Sequence, residues 1–262
     1  MVDGGGADAV LIRVVAETGS TNADMLALAA AGAAEGSWLR AERQTAGKGR
    51  QGRAWESPVG NFYGSTLVRL RPTDPPAPTL ALVTAVALEE AVSTFRRPGA
   101  GRGRHVASPS GGPGLRRGDV VLKWPNDLLI DGAKLSGILL ERTGDAIVVG
   151  IGVNLAHHPD LPDRPTTSLA AQGVTVDATT FADVLAESFA RWLSRWRSEG
   201  LGPIRQRWLD RAHPTGTALT ARLPDGSSHD GLFDGLTADG ALILRLADGS
   251  RHVIHAGDVF LI

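Results

Sequence analysis

Gln44-Thr45-Ala46-Gly47-Lys48-Gly49-Arg50-Gln51-Gly52-Arg53-Ala54-Trp55 is the densest signal in the chain, and its reading decides between two fold classes. Gly47, Gly49 and Gly52 spell the Gly-x-Gly-x-x-Gly of a dinucleotide-binding, doubly wound parallel sheet. That fingerprint requires a helix opening at the third glycine and an acid about twenty residues later. Here Arg-Ala-Trp-Glu-Ser-Pro follows, and the later window offers Leu70, Arg71 and Pro72, so the fingerprint fails. A Walker A loop fails too, because no Lys is followed directly by Ser or Thr after a Gly-x4-Gly spacing. What remains is a flexible, glycine-rich loop with cations at Lys48, Arg50 and Arg53. Its backbone N–H groups can turn toward an anion, and it can close over a phosphate or carboxylate once the charges are neutralised. A solvated basic turn or a nucleic-acid patch would look the same in isolation.

The flanks of this loop read as mixed α and β. Ala9–Ala16 has the β-branched texture of a strand, and Ser20-Thr21-Asn22-Ala23-Asp24 reads as a helix start, a hydroxyl cap with an acid three residues on. That helix carries Met25, Leu28 and Ala29 on one face and stops near Gly32. Trp38–Glu42 and Phe62–Leu70 read as strands, and Thr79–Phe95 as a buried helix with Leu82, Val83, Val86 and Val92 at helical spacing. Strands follow at Asp119–Trp124, Leu128–Ile130, Leu135–Glu141 and Ile147–Asn154, with Asp131-Gly132 supplying hairpin chemistry. Thr180–Arg197 is an amphipathic helix with Phe181, Leu185, Phe189, Trp192 and Trp196 along one side, and Pro203–Ala212 a shorter one.

From Thr215 the texture changes. Asp-Gly pairs at 225–226, 230–231, 234–235, 239–240 and 248–249 separate short apolar runs, the pattern of tight hairpins in a small all-β barrel. The expected organisation is a polar, disordered stretch over residues 1–8, a main domain over 9–213 and a small β domain over 214–262. Within the main domain, Arg96–Gly118 carries six arginines and no acid among many Gly, Ser and Pro residues. It reads as a mobile insertion, with an electrostatic guide for an acidic partner as the sharper alternative.

Composition narrows the function. The 262 residues suffice for a core without staples, and the chain has no cysteine. Disulfide frameworks, Cys-based zinc sites and cysteine nucleophiles are therefore excluded. With 27 basic and 28 acidic side chains the net charge is −1, so this is no globally basic nucleic-acid coat. No apolar run reads as the roughly 18-residue span a membrane requires, and the N-terminus lacks a signal-peptide pattern, which makes a cytoplasmic protein the expectation. Trp192, Trp196 and Trp208 read as core. His157-His158, His213, His229, His252 and His255 read as structural or surface residues without metal spacing.

Two further clusters carry chemistry. Lys123-Trp124-Pro125-Asn126-Asp127 ends one strand and Lys134-Leu135-Ser136-Gly137-Ile138 opens another just past the hairpin. Ionic and amide groups in so apolar a setting must pair or bind something. Lys123 and Asp127 form a salt bridge closing the turn in one reading. In the other, Asp127 holds Mg²⁺ on a triphosphate while Lys134 neutralises charge at the reacting phosphorus. Gly150-Ile151-Gly152-Val153-Asn154 adds a strand whose glycines permit close approach of a ligand.

In order and spacing, Ser20-Thr21-Asn22, Gln44 with Gly47–Arg53, Lys123–Asp127, Lys134–Ile138 and Gly150–Asn154 resemble the biotin protein ligases over roughly residues 16–155. The small C-terminal β domain is similar to that family's partner domain. The resemblance implies an α+β fold, a mixed and largely antiparallel central sheet covered by helices, followed by an SH3-like barrel. It implies ATP-dependent formation of biotinyl-5′-adenylate, then transfer of biotin to a lysine of a biotin carboxyl carrier domain of an acyl-CoA or pyruvate carboxylase. By the same resemblance Ser20, Thr21, Asn22, Gln44 and the backbone at Gly47 meet the biotin head, joined by Lys48, Gly137 and Lys134. Arg50 and Arg53 grip carboxylate and phosphate, with Lys134 the key catalytic lysine. Trp55 covers the adenine and Asn154 hydrogen-bonds it, while Lys123, Asn126 and Asp127 serve the nucleotide, Asp127 on Mg²⁺.

Lys48 stands where the family most often has arginine, which loosens a closed loop unless that position acts through its backbone. Nineteen residues precede Ser20, so a ligase without the operator-binding helix-turn-helix of longer relatives is expected, with neither DNA nor membrane as partner. A lipoate ligase of the same fold is the nearest rival. A nucleic-acid-binding regulator using the Lys48–Arg53 loop is the rival from another class.

Overall fold

A computed structural model describes residues 11–96, 118–162 and 164–262. The expectations for residues 1–8 and for the body of the Arg/Gly-rich insertion lie outside the described residues. The main domain is built on a seven-stranded sheet of order β1-β2-β3-β7-β6-β5-β4. Its strands are β1 (Ile12–Thr18), β2 (Trp38–Gln44), β3 (Phe62–Arg69), β4 (Val120–Lys123), β5 (Asp127–Ile130), β6 (Ala133–Thr143) and β7 (Ala146–Val153). Only β1 and β2 run parallel; every other neighbouring pair is antiparallel, so the sheet is mixed and largely antiparallel as expected.

Strand alternation gives the sheet two different faces. On β7, Ile147, Val149, Ile151 and Val153 join the larger core with α2 (Leu80–Arg96), α3 (Ala178–Glu199) and α4 (Gly202–Leu209). On the other face Ala146 and Val148 pack with Met25 and Ala29 of α1 (Thr21–Ala30). The next two positions on that second face are Gly150 and Gly152, where the strand has no side chain and a hollow begins. The Asp131-Gly132 hairpin forms as its chemistry dictates, with φ of 50° and 78°.

Three local expectations are corrected. Ser20 is the N-cap of α1, but its side chain makes no cap bond. The first helical N–H, at Thr21, instead donates to Gln44 Oε1 at 2.8 Å, and Asp24 accepts from Thr18 Oγ1 at 2.5 Å. A tertiary acceptor thus replaces the local capping box. Second, Ala77–Arg96 is long and apolar enough to cross a membrane, yet most of it is buried in the core. Buried Glu89 within it is paired to Arg207 at 2.6 Å. Third, only the Asp-Gly pairs at 225, 239 and 248 form turns.

The C-terminal domain is a five-stranded antiparallel sheet of order β11-β10-β9-β8-β12. It comprises β8 (Ala218–Arg222), β9 (Ser228–Leu236), β10 (Leu242–Arg245), β11 (Arg251–Ile254) and β12 (Asp258–Leu261). Among the described residues no ladder joins β11 to β12. Asp230-Gly231 and Asp234-Gly235 lie inside β9 rather than at turns. Gly231 is there for close approach, because a Cβ would meet Arg245 O at 2.7 Å. Gly235, at φ 103°, sits where the β9–β10 register shifts.

Trp192, Trp196 and Trp208 are core residues, as read. Trp196 is fully buried and its indole N–H donates to Thr79 Oγ1 at 2.8 Å. Trp196→Ala is expected to lower the unfolding free energy by about 3–5 kcal/mol in a urea titration. A loss below about 1 kcal/mol would contradict this packing.

Candidate active site

One cross-strand row builds the centre of the site. Lys123 pairs with Asp127, Asp127 with Gly137, and Gly137 with Gly152, so the four share the sheet face that carries α1. Lys134 lies three positions from Gly137 and by simple alternation would face the opposite core. A register shift between Leu128 and Leu129 places Leu129 opposite Lys134, turning Leu135 into the core and Lys134 onto the row. Lys134 is held there by its backbone, whose N–H donates to Pro165 O and whose carbonyl accepts from Thr167 N.

Asp127 Oδ1 lies 2.6 Å from Lys134 Nζ, and Oδ2 lies 3.1 Å from Lys123 Nζ. Lys123 Nζ also donates to Val259 O of the C-terminal sheet at 2.8 Å. Burial works to raise the Asp127 pKa, but the charges of Lys134 and Lys123 outweigh it and hold the carboxyl below its ordinary value. Burial pulls Lys134 the other way, below the usual lysine value, against the attraction of Asp127. The salt-bridge reading of Lys123 and Asp127 is met, and the bridge includes Lys134.

These groups face a cavity of about 330 Å³. Ser20, Thr21, Asn22, Gln44, Lys48, Arg50, Arg53, Trp55, Lys123, Asn126, Asp127, Lys134, Gly137 and Asn154 all line it. Gly47 lies just behind, where a Cβ would meet Trp55 O at 2.6 Å, Ser57 Oγ at 2.8 Å and Gln44 Nε2 at 2.9 Å. Gln44 joins this end together: its Oε1 accepts from Thr21, and its Nε2 donates to Ser57 Oγ at 3.2 Å. Asn22 accepts from Ser65 at 2.6 Å and donates to Glu141 at 2.7 Å, and a Cβ on Gly150 would sit 2.1 Å from its Oδ1.

The loop departs from the backbone-cradle reading. Gly49 N donates to Arg53 O, Arg53 N to Arg50 O and Trp55 N to Gly47 O, so these amides are committed within the loop. Gln51 and Gly52, at φ 57° and 71°, make the tight turn that this folding requires. These three amides are turned away from the cavity's ligand space in favour of the loop's own carbonyls. Arg50 Nη1 and Arg53 Nη2 both reach Asp258, at 3.2 and 2.6 Å. Asn126 donates to Ile138 O at 2.6 Å, and its Oδ1 lies 3.5 Å from Arg50 Nη1.

The Trp55 indole lies on the glycine floor. A Cβ at Gly152 would fall 2.6 Å from it and one at Gly137 3.2 Å, while Lys134 Nζ sits 5.5 Å from the ring centroid. Its N–H is buried without a partner, a donor awaiting an acceptor. Asn154 donates to Thr167 O at 3.0 Å.

The sequence reading missed part of the wall. Asp258, Val259 and Phe260 come from β12, and Pro159, Leu161, Arg164 and Thr166 from the segment after β7. No local pattern marks Asp258; its meaning comes from Arg53, 205 positions away. In total the cavity lining holds six Lys and Arg residues against Glu56, Asp127 and Asp258. An excess of cations over an apolar, glycine-floored hollow suits a ligand combining a neutral body with phosphate. Among the described residues no three His, Cys, Asp or Glu side chains cluster as a metal site. Asp127 can offer a carboxylate oxygen, once a lysine releases it, to Mg²⁺ carried on phosphates. That fits an ion that takes one or two carboxylates plus substrate oxygens.

Fold and cavity together suit an enzyme that handles phosphate beside a neutral group. The profile of the Biotin/lipoate A/B protein ligase family matches residues 18–155, and that of the Biotin protein ligase C terminal domain matches 216–262. The chain is 40% identical to the biotin–[acetyl-CoA-carboxylase] ligase of Paracoccus denitrificans, over 94% of this chain and 99% of that one. A biotin protein ligase from Aquifex aeolicus, solved with biotin and ATP, shares the fold with a TM-score of 0.79 at 21% identity, covering 96% and 99% of the two chains. The Leishmania major biotin protein ligase with biotinyl-5-AMP gives 0.62 at 27% identity, covering 94% and 98%. The chain belongs to the biotin/lipoate A/B protein ligase family.

His213, at the domain boundary, has a different part. Burial, with a smaller push from Lys123, lowers its pKa to about 4, and its Nε2 is buried without a partner. The unfolded chain therefore takes up a proton that the folded one refuses as pH falls from the ordinary histidine value toward 4. Stability is lost across that window, by up to about 1.4 kcal/mol per pH unit. Urea midpoints at pH 7.5 and 5 are expected to differ less in His213→Gln than in the parent; equal differences would contradict a neutral His213.

Proposed function

We propose that this protein joins biotin to a lysine of a biotin carboxyl carrier domain at the expense of ATP. A biotin carboxylate oxygen attacks the α-phosphorus; the bond to the bridging oxygen breaks, leaving biotinyl-5′-adenylate and pyrophosphate. The carrier lysine amine then attacks the acyl carbon, AMP leaves with the bonding pair, and the amine loses its proton. The single observation that carries this is the Lys123–Asp127–Lys134 group on a glycine row inside a cation-rich cavity. Attack of one anion on another needs charge neutralisation before it needs a general base.

Each residue then has a task. Ser20, Thr21, Asn22 and Gln44 form the polar end that suits the ureido head, with Gly47 keeping Gln44 and Ser57 close. Gly137 and Gly152 provide the floor. Trp55 must leave that floor to admit the ligand, and from there it closes over the adenine, its free N–H meeting an acceptor. Asn154 faces the base. Lys134, with its ammonium freed from Asp127, screens carboxylate and α-phosphate. Lys123, Asn126, Arg50 and Arg53 serve the phosphates, Lys48 adds charge at the mouth, and Asp127 would hold Mg²⁺ bound to ATP. Mg²⁺ supplies further neutralisation of the leaving pyrophosphate.

The carrier belongs to an acyl-CoA carboxylase in this reading, with a pyruvate carboxylase as a second source, and the reaction takes place in the cytoplasm. Neither DNA nor a membrane is a partner in this reading, which is supported by the pairing of Arg50 and Arg53 within the cavity and by the packing of the apolar helix in the core.

Incubation with ATP, Mg²⁺ and a carboxyl carrier domain is expected to add the mass of one biotinyl group to one lysine when biotin is supplied, and nothing with lipoate. Lipoyl transfer would overturn the biotin assignment. Lys134→Ala is expected to slow adenylate formation at least about a hundredfold in a protein that still folds, with a lower melting temperature because buried Asp127 keeps only Lys123. Unchanged single-turnover rates in that variant would remove Lys134 from the chemistry.

A further inference from the structure

Arg50 and Arg53 enter the cavity on a loop of the main domain, yet the group they hold belongs to the C-terminal sheet. Asp258 opens β12, and its carboxylate is shared: Oδ1 takes Arg50 Nη1 at 3.2 Å and Oδ2 takes Arg53 Nη2 at 2.6 Å. The neighbouring Gly257 carbonyl accepts from Arg50 Nη1 at 3.0 Å. The acid is well positioned. β12 pairs with β8 along its length, Asp258 opposite Arg222, and its side chain keeps only 16% of its exposure. Gly257 is packed so closely that a Cβ would meet Arg222 O at 2.8 Å. The arginines, by contrast, ride on a glycine-rich turn with Gln51 and Gly52 exposed. A fixed anion therefore faces two movable cations.

Asp258 also lines the cavity itself, beside Lys123, Asn126 and the arginines. A carboxylate between two guanidinium groups has the charge and fork geometry of a bound phosphate. A polyphosphate entering the same space meets a like charge, and it gains both arginines only as they leave Asp258. A mere strap between domains has no reason to sit in the ligand cavity with both carboxylate oxygens on the phosphate-facing arginines.

We propose that Asp258 is a resident counter-ion: the phosphates of the nucleotide displace it from Arg50 and Arg53, and it reclaims them as pyrophosphate leaves. The C-terminal sheet thereby sets how tightly phosphate is held and how readily the product departs. Asp258 is a positioning residue, acting through the two arginines. The proposal takes its nucleotide from the function argued above, but its test does not.

The test is calorimetric titration of the whole chain with inorganic pyrophosphate. Asp258→Asn, which keeps shape and removes charge, is expected to tighten pyrophosphate binding roughly fivefold or more, while Asp258→Glu stays within about twofold of the parent. In turnover the Asn variant is expected to show a lower KM for ATP and a lower kcat, because product release slows. Thermal melts establish that the variants fold, and Asp258→Ser, also neutral, replaces Asn if it does not. Unchanged or weaker pyrophosphate binding in a folded neutral variant overturns the counter-ion, as does a parent protein that binds no pyrophosphate. A parent that binds pyrophosphate but never forms biotinyl-adenylate overturns the ligase reading and leaves the counter-ion standing.

Discussion

Asp127 is a buried carboxylate on the cavity face of β5, and the site depends on how its charge is met. Removing such a group from water costs several kcal/mol, and one partner rarely repays it. Here two ammonium groups do so, from β4 on one side and β6 on the other. That requirement reaches outward. It demands the register shift that turns Lys134 onto the cavity face. It also anchors Lys123, whose remaining hydrogen bond to Val259 O ties the C-terminal sheet to the catalytic row. Domain docking and the electrostatics of the reacting centre are therefore linked through one lysine.

The second constraint is the missing side chains. On β7 the face that carries Ala146 and Val148 continues as Gly150 and Gly152, and the space so left is filled by Asn22 and by the Trp55 indole. Asn22 is a permanent occupant, bonded to Ser65 and Glu141. Trp55 is held less firmly, for its N–H has no partner, while its loop is fastened at the cavity by arginines that grip an acid. The floor, the loop and the C-terminal acid thus form a single chain of contacts.

Much of this was legible in the chain. The Asp131-Gly132 turn, the helical tryptophans and the largely antiparallel sheet follow from local chemistry and periodicity, which act over a few residues. The cavity residues from Ser20 to Asn154 were legible as five ordered clusters, each carrying polar or glycine residues where a strand or helix would otherwise bury side chains. What escaped depends on partners distant in the chain. Gln44 caps α1 across 23 positions, so the local capping box at Ser20 was an illusion of composition. Asp-Gly reads as a turn, but inside β9 close packing and a register shift use the same glycine freedom. Amides of the Gly47–Trp55 loop bond to one another, which no count of glycines foretells. Asp258 gains its meaning only when β12 is folded against the loop.

Adenylate formation rests on the cavity neutralising a carboxylate and an α-phosphate so that they react with each other. Single-turnover mass spectrometry of the chain with biotin, ATP and Mg²⁺, and no carrier, tests it most directly. Biotinyl-5′-adenylate should appear with one pyrophosphate per site and remain with the protein. ATP left intact in the presence of bound biotin, or an adenylate formed only from lipoate, would contradict the account.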